Sequence, residues 1–145
     1  MDGFSREVFA MKKIGITYWV FTAFASAFML MAAIPDLLQV PGARGVIAHL
    51  GYPDYLLLFL GVAKLFGVAA LLVPRFPRLK EWAYAGLSFD LVGAFYSHLS
   101  VGDGPGNWLF SIIGLALVIG SYFFYQQKLN HHGISELAGN LFRPA

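Results

Sequence analysis

The composition of this 145-residue chain is that of a protein surrounded by lipid: 58% of its residues are hydrophobic, 12% are charged, and its mean hydropathy is +0.65. A soluble domain carries about a quarter charged residues, so this chain lacks the polar surface of a water-exposed globule. It contains no cysteine, which excludes disulfides, thiolate metal sites and a thiol–disulfide relay through its own residues.

Four long apolar segments follow one another, at approximately residues 14–34, 54–74, 80–100 and 107–127. Each has about 21 residues, enough at 1.5 Å per residue to span a hydrocarbon core of roughly 30 Å. Backbone groups in lipid must be satisfied within a segment, so helices are expected. The sequence therefore predicts an all-α fold, a transmembrane four-helix bundle over residues 13–127. A cytoplasmic N-terminal segment (1–12) and a cytoplasmic tail (128–145) flank it.

Glycine and proline punctuate the three connections, which read PGARGVIAHLGYP, VPRFPRLK and VGDGPGN. Such residues interrupt helices, so these stretches are predicted to be turns or loops. A cleavable signal peptide is not expected, because the first apolar run continues well past the small residues ASA at 25–27.

The distribution of Lys and Arg predicts that both termini are cytoplasmic, since basic residues collect on that side of a membrane. This orientation puts eight basic residues inside (Arg6, Lys12, Lys13, Arg75, Arg78, Lys80, Lys128 and Arg143) and only Arg44 outside. The same distribution accounts for the net charge of +2 and the pI of about 9.0. Nucleic acid is therefore not an expected partner, whereas a lipid bilayer is.

Two opposite charges fall at the middle of consecutive segments. Lys64 is halfway along the second and Asp90 halfway along the third, so antiparallel helices would bring them to one depth. A charge at the bilayer centre costs at least about 2.5–3.5 kcal/mol, which favours pairing. Small residues that allow close helix contact share the Asp90 face: Ala83, Gly86, Gly93, Ala94 and Ser97. The pair is predicted to point into the bundle, either for ligand or proton chemistry or purely for architecture.

A second polar cluster is predicted at the outer end, from Asp36, His49, His98 and Asp103. Asp90 and His98 are eight residues apart, about 80° around a helix, so one cavity could contain both. A metal site is not expected, because these residues lack the spacing of zinc ligands. The candidate ligand-binding residues are Lys64, Asp90, His98, His49 and Asp36, and no catalytic residue is predicted.

Four stretches in order resemble the DoxX-like family of small bacterial membrane proteins. They are HLGYPDY (49–55), GVAKLFGVAALLVP (61–74), RLKEWAYAGLSFDLVGAFYSH (78–98) and GD (102–103). The resemblance covers roughly residues 12–127 and implies a four-helix bundle spanning the bacterial inner membrane several times. The wider DoxX group takes its name from a subunit associated with thiosulfate:quinone oxidoreduction, some members are linked to redox stress, and a distant eukaryotic relative is a receptor-assembly chaperone. Lys64, Glu81, Asp90 and His98 match the family pattern.

Two kinds of function fit these features. The first is a redox-accessory or binding protein that holds a small apolar molecule, with quinone as the possible cofactor, between its helices. None of its side chains can carry electrons, so electron transfer would need a bound cofactor or a partner subunit. The second is a structural or chaperone-like protein whose ion pair is architectural and whose partner is another membrane protein or a second copy. An independent enzyme using His98 or Asp90 as a base ranks third.

Overall fold

The computed structural model describes residues 2–74 and 76–141, and these residues form five helices with no strand among them. Two of the basic residues used to predict orientation, Arg75 and Arg143, lie outside this range. The helices are α1 (Asp2–Leu37), α2 (Pro41–His49), α3 (Tyr55–Leu72), α4 (Pro77–Ser100) and α5 (Pro105–Leu141).

The four long helices form a ring in which each packs against two others. Helix α1 lies between α3 and α5, and α4 closes the ring by packing against the same two helices from the opposite corner. The four apolar segments of the sequence correspond to these helices, although α1 and α5 extend beyond the predicted ends. The all-helical prediction is confirmed.

Helix α2 occupies the connection that was predicted to be a loop, so that part of the prediction was wrong. Pro41 is the first residue of α2, where its missing N–H costs nothing, and Ile47 is its buried anchor. The two glycines in this stretch lower helix propensity and concealed the helix. Helix α2 lies against α1 and α3 at the end of the bundle away from both chain termini.

Three helices are long and apolar enough to cross a membrane by length and composition, through Val8–Leu37, Tyr55–Leu72 and Pro105–His131. Large apolar side chains cover the outside of the bundle: Phe24, Phe66 and Phe89 are 64%, 73% and 76% exposed. Such a surface is suited to lipid rather than to water. Helix α4 has the necessary length, but it carries Lys80, Glu81 and Asp90 and is not among the three.

Helices α1 and α3 approach closely at Gly61, which is fully packed. A Cβ at this position would lie 2.9 Å from the backbone nitrogen of Leu37 and 3.2 Å from the backbone oxygen of Ala33. Backbone atoms cannot move aside as a flexible side chain can. The glycine therefore sets the distance between α1 and α3.

Replacing Gly61 with alanine is expected to destabilise the protein by roughly 1–2 kcal/mol, because overpacking forces α1 and α3 apart. Gly86→Ala is the matched control: a Cβ there meets nothing within 4 Å, and alanine favours the helix by up to about 1 kcal/mol. Unfolding in mixed micelles with rising SDS content measures the stability of both variants. Equal stability of the two variants would contradict the close approach.

Candidate functional site

Three charged side chains from three helices meet near the middle of the bundle. The ammonium group of Lys64 on α3 donates a hydrogen bond of 2.8 Å to Asp36 Oδ2 on α1. The carboxylate of Asp90 on α4 lies 3.6 Å from the same nitrogen. The predicted meeting of Lys64 and Asp90 is thus present, with Asp36 as an additional partner. We call these three residues the charge triad.

Asp36 was predicted to belong with the outer histidines, and the structure places it on Lys64 instead. Asp36 was expected at the end of the first helix, and it does lie in the last turn of α1. What differs is its partner, because the end of α1 packs beside Gly61 of α3, close to Lys64.

The charge triad is shielded but not sealed: the side chains of Lys64, Asp36 and Asp90 are 11%, 16% and 16% exposed. With all three groups ionised, their charges sum to −1. Lys64 has three N–H donors, and its direct hydrogen bond to Asp36 uses one. The triad can therefore donate hydrogen bonds from the Lys64 nitrogen and accept them at its carboxylate oxygens. This combination suits a ligand that carries both a carbonyl and a hydroxyl.

A second polar cluster joins the ends of α2 and α4 through the turn that follows α4. The carboxylate of Asp103 accepts hydrogen bonds from His98 Nδ1 at 2.6 Å and from His49 Nε2 at 2.8 Å. Gly102 permits this turn, since its φ of +79° is one that L side chains rarely adopt. The sequence grouped His49, His98 and Asp103 correctly.

A cavity of about 550 Å³ connects the two clusters in the half of the bundle that α2 covers. Asp36, Lys64, Asp90 and His98 all lie on its wall, and α2 covers it through Ala43, Val46 and Ile47. The remaining lining is mostly apolar. His49 is not part of the lining; it is exposed and reaches the cluster only through Asp103. We call this space the outer cavity.

The DoxX-like family model matches residues 20–121 of the chain, about seven-tenths of its length. The chain belongs to the DoxX-like family. Comparison with curated proteins found no match, and comparison with solved structures found none either. The matched range contains the whole charge triad, both histidines of the outer cluster and Asp103. Family membership and the apolar helices together make this a multi-pass membrane protein.

The outer cavity of this DoxX-like protein has polar groups that sequence reasoning missed. Tyr52 places its hydroxyl 3.0 Å from Ser97 Oγ, and both residues line the cavity. Gly51, directly before Tyr52, has a φ of +81°, a turn conformation that favours glycine. The glycine before an aromatic residue was the available signal. Asn107 and Ser111, four residues apart on α5, also lie on the wall.

A separate polar network lies at the opposite end of the bundle. Lys80, one of the basic residues assigned to the cytoplasmic side, is only 3% exposed and donates a hydrogen bond of 2.7 Å to the hydroxyl of Tyr18. Ser121 bonds the hydroxyls of Thr22 and Tyr84, each at 2.8 Å. The hydroxyl bonds of Ser121 thus join α1, α4 and α5.

The described residues contain no group of three or more His, Cys, Asp or Glu side chains arranged to hold a metal ion. His49, His98 and Asp103 instead form a hydrogen-bonded cluster that ties the end of α2 to the end of α4. We call this cluster the clasp. Hydrogen bonds from His98, and then from His49, hold the pKa of the Asp103 carboxyl below its usual range. The clasp therefore depends on Asp103 being ionised.

Acidification is expected to weaken this clasp in a specific way. The folded-state pKa of Asp103 is depressed, so its stabilisation is present above the unfolded value of about 3.9 and is lost as pH falls through the lower folded value. Wild type should melt at a higher temperature than Asp103→Asn at about pH 6, with the difference shrinking towards about pH 3. Asp54→Asn, at an exposed carboxylate without a capping hydrogen bond, is the control. A difference that grows on acidification would contradict the assignment.

Proposed function

We propose that this DoxX-like protein binds a small, mostly apolar molecule of the quinone class in the outer cavity, as a redox-accessory or binding protein of the bacterial inner membrane. The observation that carries the proposal is the position of the charge triad. Lys64, Asp36 and Asp90 form a charged patch on the wall of an otherwise largely apolar cavity. Ligand sites commonly combine apolar walls with a few fixed polar groups.

The chemistry of a quinone head complements this wall. A quinone carbonyl accepts a hydrogen bond from the ammonium group of Lys64, and the hydroxyl of the reduced form donates to a carboxylate of the triad. The volume of about 550 Å³ lies within the usual range for small-molecule sites. Tyr52, Ser97 and His98 on the same wall offer partners for the second oxygen. Electrons would pass between the bound quinone and a partner subunit, because the chain's side chains do not carry them.

The same proposal includes a topology with four spans and both termini in the cytoplasm. It places residues 13–127 in the membrane domain, 1–12 before it and 128–145 after it. Helix α4 serves as the fourth span because its polar groups are satisfied inside the bundle: Lys80 by Tyr18, Asp90 by Lys64 and His98 by Asp103. The excess of Lys and Arg at the end that carries both termini supports the orientation.

Filling the outer cavity is expected to abolish binding of a tail-free quinone. Gly93 on α4 lines the cavity, and a Cβ there meets nothing within 4 Å, so Gly93→Phe occupies the cavity without disturbing a helix contact. Duroquinone is the probe, because its four methyl groups leave no position for amine addition. Its affinity, measured by titration of the purified protein, should fall by about tenfold or more, which is at least 1.4 kcal/mol.

The neighbouring substitution Val92→Phe is the control, since Val92 is 45% exposed and lines no part of the cavity. It should bind duroquinone as the wild type does. Wild-type protein that fails to bind duroquinone, or equal binding by Gly93→Phe, would contradict the proposed function.

A structural or chaperone-like role is the second candidate, and one observation favours it. The short bond between Lys64 and Asp36 joins α1 to α3, while Asp90 adds α4, so the triad could serve only to hold three helices together. This role requires a membrane-protein partner or a second copy of the chain. Cross-linking in native membranes that recovers only the monomer would count against it.

A further inference from the structure

A second space lies on the flank of the bundle, between α3 and α4. It has a volume of about 490 Å³ and is lined almost entirely by apolar side chains, among them Phe66, Leu79 and Trp82. Phe66 and Trp82 are 73% and 80% exposed, so the space opens sideways towards the lipid. We call it the lateral groove. From Leu79 to Asp90 it follows α4 for eleven residues, or about 16 Å.

The lateral groove and the outer cavity meet at the charge triad. Leu60, Lys64, Phe89 and Asp90 line both spaces. Lys64 and Asp90 therefore stand where an apolar passage open to the bilayer joins a cavity with polar groups. Apart from these two charged side chains, the groove offers little polar surface, so it suits a hydrocarbon chain rather than a second head group.

One face of α4 runs along both spaces. Gly86 lines the groove and Gly93 lines the cavity, seven residues or two helical turns apart. These glycines were predicted to allow close helix contact, and that interpretation was wrong at both positions, because a Cβ at either one meets nothing within 4 Å. Their lack of side chains keeps space open instead.

We propose that the ligand of the outer cavity is an amphiphile with one long hydrocarbon tail, which enters sideways from the bilayer and leaves its tail in the lateral groove. The head lies at Lys64 and Asp90, and the tail runs down α4 towards Leu79. This inference rests on the proposed function and adds the class of ligand and its route. A tail in the groove replaces lipid against Phe66 and Trp82 and needs no change in the ring of helices.

Two quinones with the same fully substituted head test the inference: decylubiquinone, and its analogue with methyl in place of decyl. Each is titrated into the detergent-purified protein, and each variant is compared with wild type for the same quinone, so that partition into micelles cancels. Gly86→Phe fills the groove and should weaken decylubiquinone about tenfold, the loss of roughly two buried methylene groups. The methyl analogue should change less than about twofold.

Ala63→Phe fills the same groove from α3 and should reproduce this pattern. Agreement between the two variants excludes a distortion of α4 as the cause. Gly93→Phe should weaken both quinones, and Val62→Phe, which lines neither space, should weaken neither. Thermal unfolding of each variant establishes that it is folded before titration.

The outcomes separate the two proposals. If the methyl analogue binds wild type and the groove variants bind decylubiquinone unchanged, or lose both quinones equally, the tail site is overturned while the outer-cavity site stands. If neither quinone binds wild type, both are overturned. Selective loss of decylubiquinone in both groove variants supports the tail site.

Discussion

Replacing Lys64 with methionine is expected to lower the free energy of unfolding by about 3–5 kcal/mol. Methionine matches the length of the lysine stem but removes the ammonium group, which leaves Asp36 and Asp90 facing each other as shielded carboxylates without their cation. Removing one partner from a buried ion cluster costs far more stability than the intact cluster contributes as a net term, because the remaining charges stay buried without compensation. Unfolding with rising SDS in mixed micelles, followed by circular dichroism, measures the loss.

A compensated variant separates this charge effect from poor packing. In the Lys64→Met protein, adding Asp36→Asn and Asp90→Asn removes the two uncompensated charges, so most of the lost stability should return. Lys64→Met with wild-type stability would mean that the ammonium group does not hold α1, α3 and α4 together. Failure of the triple variant to recover would assign the loss to packing rather than to charge.

The second large effect is expected at the opposite end, where Tyr18→Phe should destabilise the protein by about 3 kcal/mol. The Tyr18 hydroxyl accepts the hydrogen bond that Lys80 donates, and Lys80 is 3% exposed. Removing that oxygen leaves an ammonium group buried among rings, with the Tyr18 and Tyr125 ring centroids at 5.3 and 5.5 Å. Cation–π contact offsets only part of the lost hydrogen bond. The same SDS titration measures the stability lost in Tyr18→Phe.

Two controls make this prediction specific. Tyr125→Phe keeps an aromatic ring beside Lys80 and removes a hydroxyl that does not bond it, so a change under about 1 kcal/mol is expected. Adding Lys80→Met to Tyr18→Phe removes the unsatisfied charge and should recover more than half of the loss. A double variant less stable than Tyr18→Phe alone would contradict the account of this network.

The common level of Lys64 and Asp90 could be predicted because it depends on depth alone. Two charges at the midpoints of consecutive antiparallel helices must lie at one level, whatever the detailed packing. The partner of Asp36 could not be predicted in the same way, because it depends on how the end of α1 packs against α3. Leu37 lies beside Gly61, and this contact brings Asp36 to Lys64 rather than to the histidines.

The rotation of each helix about its own axis was the part the sequence left open. Counting residues gives the level of Lys80 but not that it points into the bundle, where Tyr18 accepts its hydrogen bond. The same limit explains Gly86 and Gly93: a face of small residues fits a tight helix contact and an open groove equally well. Which of the two forms depends on how far α3 and α4 are held apart elsewhere, as by Leu87 against Gly67.

The most direct test of the central claim is the distance between Lys64 and a bound quinone in a bilayer. Solid-state NMR can measure the dipolar coupling between isotope-labelled lysine Nζ and a labelled quinone carbonyl carbon, with Lys64→Arg identifying the signal. A hydrogen bond from the ammonium group places these atoms within about 4 Å, so we expect strong coupling that disappears in Lys64→Arg. Saturated binding without coupling to Lys64 would contradict the account.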